Sequence, residues 1–252
     1  MPCRSMFLCA ATALVFVGAA SPAFAQTVGD MYVRLDLGWG GATNANIHNR
    51  DQPIVNPLAT VSGINGTLSD IGSAWIVGVG AGMHFLPNVR ADLAYTYRGG
   101  YSLDDSDQGA PSNRFQADIH SNSVMATAYW DFPVAPSTVA FFGFGLGWAD
   151  VSMSNLTSNT ALIVNPHVTV AGPALAPDGR TDNFAWQLAA GVGFPVGNGM
   201  MVDLFYRYFD GGHVQTPAGN VTVNGATIGT YGGAEGALHS HELTVSVRVP
   251  LT

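Results

Sequence analysis

A chain of 252 residues with only 10% charged residues, 31 glycines and no lysine is unlike an ordinary soluble domain, where about a quarter of residues carry charge. The formal charge of −8, from 9 arginines against 17 acids, argues against nucleic acid as a partner. Mean hydropathy is +0.21, yet beyond the N-terminus no apolar run approaches the roughly 20 residues of a membrane helix. Few architectures remain, and one is a closed transmembrane barrel, since an open sheet edge cannot sit in lipid.

At the N-terminus Arg4 precedes an apolar run from Phe7 to Ala20, and Ser21-Pro22-Ala23-Phe24-Ala25 follows with small residues at the last and third-last places. That order predicts a signal peptide over residues 1–25, cleaved after Ala25, and a mature chain of 26–252. Cys3 and Cys9 both fall in the removed segment, which leaves no thiol, disulfide or cysteine metal site.

Eight segments then alternate apolar and polar residues, at 32–39, 74–85, 89–98, 124–132, 138–148, 184–194, 201–209 and 242–251. Each has about the 9–11 residues that a tilted strand needs to cross a bilayer. Three connectors are short: Leu86-Pro87-Asn88, Pro133-Val134-Ala135-Pro136 and Pro195-Val196-Gly197-Asn198-Gly199. Four are long and polar, at about 40–72, 99–118, 151–182 and 211–239. This pattern predicts an all-β fold, an eight-stranded antiparallel up-and-down transmembrane β-barrel with four long external loops and both termini in the periplasm. Leu162-Ile163-Val164 and Val168-Thr169-Val170 suggest a hairpin extension within the third loop.

Aromatic residues sort by height along these segments. Trp39, Trp75, Tyr97, Trp148, Trp186 and Tyr208 fall near the long-loop rim, and Phe85, Trp130, Phe132 and Phe194 near the other. Two girdles of rings match the two faces of a bilayer.

The opposite face of the strands holds Arg34, Asp36, His84, Arg90, Asp92, Arg98, Asp203, Arg207, Glu242 and Arg248, with glycines at 78, 80, 82, 143, 145, 147, 191 and 193. Each midplane Arg facing lipid would cost about 2–4 kcal/mol. The five together would rival the whole stability of a domain, about 5–15 kcal/mol. The charges are therefore expected to face the lumen and to pair, with the glycines making room for guanidinium arms. An eight-stranded barrel is about as wide as side chains can fill. Near-balance of charge favours a salt-bridged, largely closed lumen. Pairing of Arg90, Arg207 and Asp203 across the lumen would mark a plug, and a wet passage a channel.

Gly191-Val192-Gly193-Phe194, the turn after it, and Asp203-Leu204-Phe205-Tyr206-Arg207-Tyr208-Phe209-Asp210 resemble the small outer-membrane β-barrel surface proteins. That family includes the OmpA-like transmembrane domain and the porin-like surface antigens of alphaproteobacteria. The resemblance covers the mature chain and implies the outer membrane of a Gram-negative bacterium. It also implies contact with outer-membrane lipid and lipopolysaccharide, and assembly by the barrel-insertion machinery. It does not extend to the peptidoglycan-binding domain of OmpA, so cell-wall tethering is not implied.

Three polar stretches invite chemistry. In Leu238-His239-Ser240-His241-Glu242, strand parity puts both histidines on one face and Ser240 with Glu242 on the other. A nucleophile and its base need hydrogen-bond contact, so no catalytic residue is assigned there or at Asp118-Ile119-His120-Ser121-Asn122. His213, His239 and His241 lack a carboxylate at metal-site spacing. Asp104, Asp105 and Asp107 lack the later Glu of a calcium loop and read as a solvated acidic loop, open to cation bridging with lipopolysaccharide. No enzyme activity, cofactor or metal is expected. The role expected is structural or adhesin-like, with an unknown external ligand held by the loops. The alternatives are a narrow porin-like diffusion channel and, third, a lipid A-modifying enzyme.

Overall fold

The computed structural model describes residues 29–43, 48–49, 72–106, 114–158, 162–165, 168–170, 174–175, 177–223, 226–231 and 233–251. The expected signal segment 1–25, most of the first long connector and Asp107 lie outside the described residues.

Period-two alternation yields eight long strands. They are β1 (Met31–Thr43), β2 (Ser73–Leu86), β3 (Val89–Ser106), β4 (Arg114–Ala135), β5 (Thr138–Ser158), β6 (Gly179–Gly197), β7 (Met200–Gln215) and β8 (Ala234–Leu251). Each pairs antiparallel with the next in sequence. β8 returns to β1 in continuous register from Met31↔Leu251 to Thr43↔His239, which closes the cylinder. Closure gives every ladder N–H and C=O a partner, the condition for lying in lipid. The fold is a closed eight-stranded antiparallel barrel, with no helix among the described residues.

Lipid-facing positions are apolar. Along β5 these are Phe142, Phe144, Leu146 and Trp148, and along β8 they are Leu243, Val245, Val247, Val249 and Leu251. The lumen face of β5 is glycine at 143, 145 and 147 because larger groups from β4 lie over it. A Cβ at Gly143 would come within 2.4 Å of the Tyr129 ring, and one at Gly147 within 2.7 Å of the Met125 sulfur. Likewise Tyr32 covers Gly82 and Phe205 covers Gly191. This corrects the expected role of the lumen glycines: they make room for varied neighbours, the Tyr32 and Tyr129 rings at Gly82 and Gly143 and the side chains of Asp36, Thr127 and Met125 at Gly78, Gly145 and Gly147, and only Gly193 lies beside a guanidinium, that of Arg248.

The strands also run well past their expected ends. β4 has 22 residues and β5 has 21, so much of 99–118, 151–182 and 211–239 is continuing strand and not loop. Above the outer girdle the polarity reverses. Gln116, Asp118, Asp150, Ser152 and Ser154 now face out, while Ala117, Ile119, Val151 and Met153 are buried inside with Tyr101, Phe209, Val214 and Leu238. Water has replaced acyl chains outside, so burial of apolar surface again favours the interior. Two bulges keep the phase. Arg98 and Tyr101 both face inward around Gly99-Gly100, and Phe209 and Val214 do so around Gly211-Gly212. Gly100 and Gly212 have φ of 94° and 77°, which a side chain would strain. Leu162–Asn165 and Val168–Val170 pair as a separate hairpin.

Gly143→Val should therefore block barrel closure, read as loss of the heat-modifiable folded band in gel electrophoresis. Gly41→Ala, whose Cβ would meet nothing within 4 Å, should keep that band.

Candidate functional site

The candidate site is the lumen. β1 contributes Arg34 and Asp36, β2 His84, β3 Arg90, Asp92 and Arg98, β4 Asp131, β7 Asp203 and Arg207, and β8 Glu242 and Arg248. All are at most 5% exposed, because strand parity turns each away from the apolar outer band. Five arginines (34, 90, 98, 207, 248) meet five carboxylates (36, 92, 131, 203, 242).

Arg34 is the hub near the short-turn end. Its Nε donates to Asp36 Oδ1 at 3.0 Å and its Nη2 to Asp36 Oδ2 at 2.5 Å. Its Nη1 crosses to Asp92 Oδ2 at 2.6 Å and to the Tyr129 hydroxyl at 2.7 Å, joining β1 to β3 and β4 inside the cylinder. Arg90 Nε donates to both oxygens of Asp131 at 3.1 Å, its Nη1 to the Tyr32 hydroxyl at 3.2 Å, and its guanidinium lies 4.0 Å from the Tyr129 ring centre. Arg248 holds Asp203 bidentately, at 2.7 and 2.8 Å. The planar fork of Arg suits this geometry.

A second group sits nearer the long connectors, where Glu242 is in register with Gly40. Its Oε1 accepts from Arg98 Nε at 2.6 Å and from Ser240 Oγ at 2.7 Å, and its Oε2 from Arg207 Nε at 2.5 Å. The Arg98–Glu242 pair joins β3 to β8 across the lumen. Arg98 also donates to Ser123 Oγ at 2.7 Å and stacks 3.6 Å over the Phe209 ring. The apolar layer begins directly above.

All ten charged or titratable residues expected on the inward face lie in the lumen, and Asp131 joins them. Arg90, Arg207 and Asp203 are each paired, with Asp131, Glu242 and Arg248 on adjacent strands. Asp131, which takes up Arg90 and lies 4.0 Å from His84 Nε2, was not anticipated. Its parity signal is present, since Trp130 and Phe132 on either side face out. The inward rings of Tyr32, Tyr129 and Phe141 were also not anticipated.

The girdle residues Trp39, Trp75, Tyr97, Trp148, Trp186 and Tyr208 face outward toward the long connectors. Trp39 is in register with Trp75, the Trp75 and Tyr97 rings are 5.1 Å apart, and Trp186 and Tyr208 5.3 Å. At the other rim Trp130 stacks on Phe132 at 5.8 Å, and Phe85 and Phe194 face the same exterior.

His239 and His241 face out while Ser240 and Glu242 face in. Asp118 accepts from Asn155 Nδ2 at 2.8 Å. Among the described residues no group of three or more His, Cys, Asp or Glu is placed to hold a metal ion.

Residues 9–247 match the family described as outer membrane protein beta-barrel domain. The chain belongs to this family. It is 27% identical over 134 residues to the outer membrane protein PagN of Salmonella typhimurium, a match that covers 50% of this chain and 51% of PagN. The chain thus spans about half the length of that relative. Among solved structures it is similar to OprG of Pseudomonas aeruginosa (TM-score 0.55, 9% identity, 89% of this chain and 98% of that one). It is also similar to Neisserial surface protein A (TM-score 0.50, 16% identity, 87% and 96%). Both likenesses concern the fold. As a member of this family, the chain is an outer-membrane β-barrel surface protein in contact with membrane lipid.

Removing one partner of a buried ion pair leaves an uncompensated charge, at a cost of about 3–5 kcal/mol. Glu242→Gln strands both Arg98 and Arg207 and should lower the unfolding free energy by about that amount in urea titration of the refolded barrel. Asp150→Asn, whose partner Arg180 is exposed, should leave the titration unchanged.

Proposed function

We propose that the barrel is a closed surface scaffold, with the long connectors outside the cell and both termini in the periplasm. Its role is structural or adhesin-like: the lumen seals the wall, and the connectors make the external contacts. The observation that carries this reading is the Arg98–Glu242 pair at 2.6 Å, joined to Arg207 and roofed by the apolar layer. An ion crossing there would have to break buried charge pairs and then enter packed apolar side chains, both costly in low dielectric.

Strand length supports the external role. Residues 114–123 of β4 lie beyond the apolar band and extend on the order of 30 Å along the strand. The connectors are therefore carried away from the bilayer surface, where segments of this kind do most binding. Export through the signal segment 1–25 and insertion by the barrel-assembly machinery belong to the same proposal, as does the absence of catalysis in the lumen.

Purified protein in a planar bilayer should show no steady conductance. A large, stable, ohmic current would replace the scaffold with the narrow diffusion channel.

A further inference from the structure

The five guanidiniums and five carboxylates of the lumen balance in number but not in position. Near the short-turn end Arg34, Arg90 and Arg248 face four carboxylates, Asp36, Asp92, Asp131 and Asp203, and Asp92 Oδ1 is left without a partner. Beneath the apolar layer the excess is reversed. There Arg98 and Arg207 share the single carboxylate of Glu242, one at each oxygen.

The shape of the guanidinium shows what this sharing leaves over. Arg34 and Arg248 each grip an aspartate through Nε and Nη2, the two nitrogens on one edge of the fork. Arg98 and Arg207 turn the same edge toward Glu242 but engage it only through Nε. Among the described residues neither Nη2 has a hydrogen-bond partner, although both side chains are at most 2% exposed. Since Nη2 shares its edge with Nε, both unpartnered donors lie on the Glu242 side of their guanidiniums. Ser121, directly across from Arg98 in the β3–β4 ladder, adds an Oγ that is likewise buried and unpartnered.

Charge and space identify the occupant. No other inward carboxylate is free to help: Asp36 is held at both oxygens by Arg34 and stands in register with Ser246, about 13 Å along β8 from Glu242. Water would satisfy the donors but leave one positive charge buried, which is costly in low dielectric. A single negative charge answers both needs. It has to be small, because the surroundings are close. A Cβ on Gly40 would fall 2.9 Å from Glu242 Cγ and 3.2 Å from Ile76 Cδ1, and the Phe209 ring centre lies 3.6 Å from the Arg98 guanidinium.

We propose that a chloride ion is a structural component of the lumen, held by Nη2 of Arg98 and Nη2 of Arg207 beside Glu242, with the Ser121 hydroxyl as a further donor. Two cations then alternate with two anions beneath the apolar layer. All the donors are buried, so the ion is taken up as the barrel folds, and folding is linked to chloride. The site is independent of which way the long connectors face and of what they contact.

The test is urea unfolding and refolding of the barrel with chloride exchanged for gluconate at constant ionic strength. Once chloride exceeds its dissociation constant, each tenfold rise should raise the folding equilibrium constant about tenfold. Arg207→Met removes the excess charge and one donor, leaves Arg98 paired with Glu242, and should abolish that dependence. Glu242→Gln keeps both guanidiniums and removes the competing carboxylate, so its dependence should begin at lower chloride; it gives the reading if Arg207→Met does not fold. Crystals grown in bromide should show an anomalous peak between the two Nη2 atoms. A wild type indifferent to chloride, an unchanged dependence in Arg207→Met, or bromide at exposed positions alone (an adventitious ion only) would each overturn the proposal.

Discussion

A guanidinium against acyl chains is the state this chain is built to avoid. Five arginines sit on strands whose other face must be apolar, so the cylinder has to turn them inward, and there they have to be neutralised. Five carboxylates do so, with hydroxyls of Tyr32, Tyr129, Ser123 and Ser240 satisfying further donors and acceptors. In the narrow bore the Tyr32 and Tyr129 rings are seated where the neighbouring strand has Gly82 and Gly143. Charge pairing, aromatic filling and glycine content are three consequences of one constraint.

The constraint operates only as far as the bilayer extends. Above the outer girdle the same strands, in the same hydrogen-bonded ladder, carry Asp and Ser outside and Ile, Val and Met inside. One cylinder thus has two interiors, ionic beneath and apolar on top. The apolar layer is what makes the closure of the lumen a property of two different chemistries in series.

The eight segments, their parity, the short turns and both girdles were legible in the sequence because each depends on local period-two alternation. Partner choice was not. Which carboxylate meets Arg90 depends on the shear between β3 and β4, and Asp131 was hidden by its place between two girdle aromatics and next to a turn. The inward Phe205 and Phe209 look lipid-facing by hydrophobicity, and only their parity with Arg207 shows otherwise. Strand ends were misjudged because the outward face turns polar at Asp118 and Asp150, which reads as loop when the outside is assumed to be lipid throughout. The doubled glycines at 99–100 and 211–212 further hide the continuation, since a bulge breaks the alternation that marks a strand.

The reversal of polarity on β5 tests the account most directly. Both native cysteines, Cys3 and Cys9, precede the proposed cleavage point, so single cysteines can carry nitroxide labels in the mature chain. At positions 140, 142, 144, 146 and 148 the labels should be reached by oxygen and shielded from a water-soluble nickel chelate, and at 150, 152 and 154 the preference should invert. Chelate access at 142–148, or oxygen preference persisting through 154, would contradict it.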